Sequence, residues 1–192
     1  MRLRWNRGKP VVLSTERFDL RSVSQRWIAR HTFAWSENEQ VMAGLELRAG
    51  GWLLRRWRRR FAKADNRNHL ILAIFDKQNG RLVGYESVNI SGGNIAFIGV
   101  AVGDTDWWGK GLVVETRAAL LDYLFDVRGC TRVWGTPFGR NFSSIYNYQR
   151  LGFKKEGVLR KGGRSANGDA SDMVAFGMLA DEWRALRAEN PS

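Results

Sequence analysis

Three sets of residues in this sequence have the types and spacing for chemistry. The first is Gly109-Lys110-Gly111. An apolar run, Ile95 to Val102, leads into it, and Leu112 to Phe125 follows with Val113, Leu120, Leu121, Leu124 and Phe125 placed as on a helix. The two glycines permit a tight turn whose backbone is bare of Cβ atoms. A strand, a glycine turn and a helix aim unpaired N–H groups and the positive end of a helix dipole at the turn, so an anion, usually phosphate, is its natural occupant. The second set is Asn141, Ser144 and Tyr148 on a predicted helix, Asn141 to Leu151. Ser144 and Tyr148 are one turn apart and Asn141 lies a turn earlier on the same side, a polar stripe that a purely structural helix does not need. The third is Glu86, a carboxylate sharing a strand face with Leu82, Val88 and Ile90, where desolvation would raise its pKa. Plainer roles stand beside these: Asn141 as a helix N-cap, Tyr148 as a core aromatic, Lys110 as a solvated charge, the glycines as a turn without ligand.

The elements that must position these groups follow from pattern and punctuation. Val11 to Val23 reads as a first strand, and Trp27 to Leu45 as mostly helical, broken near Trp35-Ser36-Glu37-Asn38. Ser36 as N-cap with Glu39 closing a capping box explains that break locally. After Gly50-Gly51, Leu53, Leu54, Trp57 and Phe61 recur at helical spacing, with Arg55, Arg56, Arg58, Arg59 and Arg60 on the other faces. His69 to Phe75 and Arg81 to Ile90 form a predicted hairpin around a turn ending in Asn79-Gly80. Thr131 to Thr136 is a further strand, and Gly152 stops the helix before it. Phe153 to Arg160 and Asp172 to Leu179 make a final hairpin across the polar loop Lys161 to Ser171, and Ala180 to Ala188 closes as a helix. The pattern predicts one α/β (α+β) domain over residues 1–192, with a basic extension at 1–10 and a mixed, mostly antiparallel sheet flanked by helices.

Composition bounds the class. The chain has 192 residues, 44% hydrophobic and 26% charged, enough for one sizeable core. No apolar stretch reaches membrane-spanning length, and the basic start lacks the apolar centre of a signal peptide. One cysteine, Cys130, excludes an internal disulfide framework and fits a reducing compartment. Two histidines, His31 and His69, far apart in sequence, give no metal-ligand spacing. The expectation is a cytoplasmic, bacterial protein, monomer or homodimer, without metal. The net charge of +12 favours anionic partners: nucleic acid, a nucleotide-bearing substrate or an anionic cofactor.

Among phosphate-binding loops, a P-loop fails because glycine follows Lys110, and a dinucleotide fingerprint fails at Val114. The remaining pattern, Trp108-Gly109-Lys110-Gly111-Leu112-Val113-Val114-Glu115, resembles the pyrophosphate loop of the GNAT superfamily of acetyltransferases. It is most similar to the Rim-type branch, whose loop reads W-G-K-G-Y-A-T-E; Val113 stands where Ala or Gly is usual. The second match is Asn141 to Phe153, similar to the family's N-x-x-S-x-x-x-Y-x-(K/R)-x-G-F in Asn141, Ser144, Tyr148, Arg150, Gly152 and Phe153. Thr15 to Arg21, Gly157 to Arg160, Asp172 to Val174 and Asp181 to Trp183 also resemble Rim-type segments, so the likeness runs from about Val11 to Trp183.

The resemblance implies transfer of an acetyl group from acetyl-CoA to an amine. It implies that the backbone of Val100, Ala101 and Val102 holds the pantetheine and that Trp108, Gly109, Lys110, Gly111, Leu112 and Val113 form the diphosphate loop. Asn141 and Ser144 would meet the pantetheine arm, and Tyr148 would protonate the departing thiolate. Trp35 and Glu37, in a segment similar to the family's W-x-x-(N/D)-x-x-V, would wall the acceptor site. Many Rim-type relatives carry a glutamate base in an A-E-I-G pattern; here Ala96-Phe97-Ile98-Gly99 puts Phe97 in its place, and Glu86 is the substitute base. A protein N-terminus, an amino sugar on a nucleotide carrier and a small-molecule amine stand open as acceptors, with polycations disfavoured by charge. An RNA- or ribosome-associated binding module on the same scaffold is the competing function, kept open by the Arg55–Arg60 run.

Overall fold

The computed structural model describes residues 8–189, so most of the expected basic extension lies outside the described residues. Eight strands form one sheet: β1 (Val12–Ser14), β2 (Phe18–Ser22), β3 (His69–Asp76), β4 (Leu82–Ser91), β5 (Ile95–Val102), β6 (Arg132–Gly135), β7 (Lys154–Arg164) and β8 (Ala170–Leu179). Their order is β1-β2-β3-β4-β5-β6-β8-β7, and β5 with β6 is the parallel pair among antiparallel neighbours. Six helices flank the sheet: α1 (Gln25–His31), α2 (Glu39–Gly44), α3 (Leu54–Arg58), α4 (Leu112–Asp122), α5 (Phe142–Arg150) and α6 (Ala180–Glu189). This is the mixed, mostly antiparallel α/β architecture that the pattern predicted.

Alternation along β3 splits the core into two layers. Leu70, Leu72 and Ile74 pack with Leu112, Leu120 and Leu121 of α4, whereas Ala73 packs with Ile28 of α1, Met42 of α2 and Trp57 of α3. Trp183 of α6 joins the first layer and donates its indole N–H to Asp122 at 2.8 Å. The Arg55–Arg60 segment is amphipathic: Trp57 and Phe61 are core residues, and all five arginines are exposed.

Several boundaries differ from the sequence expectation for local reasons. Val11 to Val23 is two strands, because Thr15 closes a turn in which its N–H donates to the Phe18 carbonyl and its hydroxyl oxygen accepts from the Phe18 N–H. The break before α2 is capped by Asn38, whose side chain accepts from the Val41 N–H, while Ser36 is buried and donates to the Phe33 carbonyl; Ser36 is not the cap. The final hairpin extends through Arg164 and Ala170, so its loop is shorter than Lys161 to Ser171. The polar Lys161-Gly162-Gly163-Arg164 continues the strand across a register shift, with the Lys161 N–H donating to the Asp172 carboxylate at 2.7 Å. Helix α4 ends at Asp122 and passes into a π-helical turn, Tyr123–Val127. A bulge between Ile74 and Phe75 turns Leu82 to the α1–α3 layer, so Glu86 shares its face with Val88 and Ile90 and not with Leu82.

Candidate active site

The site lies where the parallel pair comes apart. Strands β5 and β6 are in register only from Ile95↔Arg132 to Phe97↔Trp134, and β5 runs on to Val102 without β6 beside it. The Ile98 carbonyl faces the Tyr148 hydroxyl at 3.5 Å, and the Val102 carbonyl accepts from the Trp108 indole at 3.2 Å. Antiparallel strands alternate bonded and non-bonded pairs, so Val100, between these two, also turns its peptide groups away from β4 onto the open edge.

Beside that edge is a cleft of about 850 Å³. Val100, Ala101 and Val102 line it from β5; Trp108, Gly109, Gly111, Leu112 and Val113 line it from the turn and the start of α4; Asn141 and Ser144 line it from α5. Gly109 and Gly111 adopt φ +73° and +77°, the left-handed region that strongly favours glycine, and this is why the turn carries glycine at both positions. Gly111 is the N-cap of α4 and offers no side-chain acceptor. The N–H groups of Gly109, Gly111, Leu112, Val113 and Val114 have no acceptor among the described residues. Helix starts leave such groups open, and here they border the cleft with the helix dipole behind them. Lys110 is exposed and does not line the cleft.

A carboxylate holds this turn in place. Glu115, in the first turn of α4, accepts from the Thr15 hydroxyl at 2.6 Å, the Arg17 N–H at 2.8 Å and the Arg17 Nε at 2.7 Å. Burial works to raise its pKa, but the bonds from Thr15 and Arg17 outweigh it and hold the carboxyl below its ordinary value. Arg17 was not singled out in the sequence, although it belongs to the Thr15 to Arg21 run. Its guanidinium lies over the Phe18 and Trp107 rings, 5.3 and 5.5 Å from their centroids, and would stand 3.5 Å from a Cβ at Gly111. It brings a cation to the glycine turn. Across the cleft, Asn141 caps α5 by accepting from the Ser144 N–H at 3.0 Å and donates to the Gly44 carbonyl at 3.4 Å, while Arg140 pairs with Glu46. These bonds join the end of α2 to the start of α5.

Tyr148 departs from the predicted stripe. Asn141 and Ser144 border the cleft, but the Tyr148 ring turns into the core, 3% exposed, stacked on Phe176 and edge-on to Phe153. Its hydroxyl sits in the fork between β5 and β6, beneath Gly135, where a Cβ would collide with it. Burial raises the Tyr148 pKa, opposed by Arg117 and reinforced by Glu86.

Glu86 has no solvent exposure and does not line the cleft. Its Oε2 accepts from Arg117 Nη2 at 3.2 Å, a pair sealed between β4 and α4. Burial pushes its carboxyl up, as its apolar face suggested, and Arg117 pulls it back. The expectation that Glu86 takes a proton from an incoming amine therefore meets a carboxylate enclosed on all sides. Arg117 was missed because it interrupts the apolar pattern of α4, and its partner is 31 residues away in sequence. Trp35 and Glu37 occupy the 3-10 turn Phe33–Glu37; Trp35 packs with Tyr85 at a 6.2 Å ring spacing, Glu37 is exposed, and neither lines the cleft. Among the described residues no group of histidine, cysteine or acidic side chains could hold a metal ion, and no helix is long and apolar enough to cross a membrane.

Comparison with known proteins follows the same outline. A family model described as an acetyltransferase (GNAT) domain matches residues 17–154. No curated protein matches the sequence. Among solved structures, a GCN5-related N-acetyltransferase from Brucella melitensis superposes with a TM-score of 0.78 at 22% identity, covering 95% of this chain and 84% of that one. A ribosomal-protein-S5-alanine acetyltransferase from Vibrio fischeri gives 0.73 at 20% identity, covering 90% and 98%. A spermidine N-acetyltransferase from Vibrio cholerae, solved with CoA and spermine, gives 0.75 at 18% identity, covering 88% and 98%.

Proposed function

We propose a function on the premise that this chain belongs to the GNAT acetyltransferase family and is an N-acetyltransferase. The donor in this reading is acetyl-CoA, and the acceptor a primary amine on a protein N-terminus, an amino sugar or another small molecule. The observation that carries it is the set of unpartnered N–H groups of Gly109, Gly111, Leu112, Val113 and Val114, beside the open edge of β5 in one cleft. Acetyl-CoA presents a diphosphate to the first and an amide-bearing pantetheine arm to the second, the way an added strand meets a sheet edge.

The residues divide the work. The Gly109–Val113 amides and Arg17 take the diphosphate; the peptide groups of Val100 hold the arm; Asn141 and Ser144 guide it along α5. When bound, the thioester supplies the acetyl group and a thiolate leaving group. Tyr148, at the fork where the β5 edge opens, gives that thiolate its proton. Glu86 is assigned to Arg117, and the proton of the attacking amine goes to solvent. Trp35 and Glu37 stay as proposed acceptor-side residues on the α1–α2 connection. The lone buried Cys130 suits a reducing, cytoplasmic setting.

Acceptor identity rests on charge. At +12 the protein repels polycations, which favours neutral or anionic amine carriers over polyamines. The test is release of free thiol from acetyl-CoA across an amine panel: N-terminal peptides, nucleotide-linked and free amino sugars, and spermidine. Amine-dependent release, strongest for the peptides or amino sugars, is expected. No release with any amine, together with salt-dependent RNA binding, would support the binding-module reading instead.

A further inference from the structure

We propose that Arg117, anchored by Glu86, is a positioning residue for Tyr148 and stabilises the tyrosinate left when Tyr148 gives up its proton. The inference rests on Tyr148 being the acid, and goes beyond it by assigning a second layer to the site.

Arg117 is 1% exposed, and a buried guanidinium in the middle of a helix needs a reason. Its Cζ stands 5.0 Å from the Tyr148 ring centroid, and Nη2 donates to Glu86. Nε and Nη1 are buried without a hydrogen-bond partner, as is Oε1 of Glu86. A pair kept only for stability would satisfy these donors, because unpaired buried polar groups are costly. The guanidinium that carries these unused donors lies over the ring of Tyr148, the group that becomes an anion during the reaction.

As the amine nitrogen bonds to the acetyl carbon, it releases a proton to solvent, and the C–S bond breaks with its electron pair going to sulfur. The Tyr148 O–H bond breaks, its proton forms S–H, and the tyrosyl oxygen keeps the pair. Arg117 then stands as one cation between two anions, Glu86 and tyrosinate. Without it, the new charge would form in a buried, apolar fork. Glu86 alone would oppose it. Among the described residues the charged groups facing Tyr148 are Arg117 from α4 and Glu86 from β4. Strand β5 presents the Ile98 carbonyl, β6 presents Gly135, and β8 presents Phe176, none of which titrates. The burial that raises the Tyr148 pKa is thus opposed by a single cation.

Removing Arg117 alone would strand Glu86, so the test replaces both with apolar residues, E86L/R117M, and measures kcat and KM for acetyl-CoA against pH, with R117K and Y148F in parallel. A folded E86L/R117M enzyme is expected to keep its KM, lose about tenfold in kcat, and show its alkaline kcat limb at higher pH, because the acid is weaker. R117K, with a shorter cation, should move the limb the same way by less. In the Y148F background, E86L/R117M should leave the residual turnover unchanged. Wild-type kcat and pH profile in E86L/R117M would overturn the inference, as would a lost kcat with an unmoved limb. If E86L/R117M does not fold, an unmoved limb in R117K overturns it and a moved one supports it. If Y148F itself turns over normally, the acid assignment has failed, and the inference with it. A silent Y148F beside a wild-type E86L/R117M removes Arg117 alone.

Discussion

Replacing Tyr148 by Phe takes one oxygen from the fork between β5 and β6 and leaves the ring packed on Phe176 and Phe153. Its 3.5 Å contact with the Ile98 carbonyl is too long to hold the fold, so melting should barely change while turnover falls about 10²-fold. Steady-state rates per folded molecule check this; early melting with normal rates would make Tyr148 a core residue only. Gly135 gives a complementary prediction. Gly135→Ala drives a methyl into the tyrosyl hydroxyl and should cost about 1–3 kcal/mol of stability along with activity, seen in denaturant melts. Adding Tyr148→Phe should return part of that stability and none of the activity. The spacing of Asn141, Ser144 and Tyr148 was legible in the sequence, but helical periodicity says only which residues are neighbours. Which of them turns toward the sheet depends on the fork below α5, and nothing in that segment encodes the fork.

At the scale of elements, the clasp between α4 and the β1–β2 turn decides how rigidly the glycine turn is held. Glu115 is the shared acceptor, and its folded pKa lies below the ordinary 4.5. A depressed carboxyl contributes stability that is fully present above the ordinary value and is lost as pH falls through the folded one. Glu115→Gln should therefore cost about 1–2 kcal/mol near neutrality, with the difference shrinking well below pH 4.5. Thermal melts of both proteins across that range measure it; a gap independent of pH would contradict the clasp. Strong periodicity made β3, β4, β5 and α4 readable in advance. The two-strand start, the Asn38 cap and the long β7–β8 hairpin were not readable, because each depends on a particular side-chain bond or a register shift. The Arg17–Glu115 and Arg117–Glu86 pairs were hidden for a related reason: their partners are 98 and 31 residues apart.

Across the whole molecule, the +12 charge acts on every ligand that approaches. Acetyl-CoA is anionic, so its KM should rise severalfold between low and high salt, while KM for a polycationic acceptor should fall. Initial rates at several ionic strengths check both signs. The exposed arginines of Arg55–Arg60 add to this field, with Trp57 and Phe61 committed to the core and unavailable to stack on bases.

The proposal that backbone amides hold the coenzyme diphosphate is separable from all of this by calorimetric titration with coenzyme A. Lys110→Ala removes a charge that does not line the cleft and should weaken binding by only about threefold, the scale of an exposed ion pair. Gly111→Val, at φ +77°, forces a β-branched residue into left-handed backbone and should weaken binding about 30-fold or more, with some loss of melting temperature from the same strain. Small and equal effects from the two substitutions would contradict the assignment.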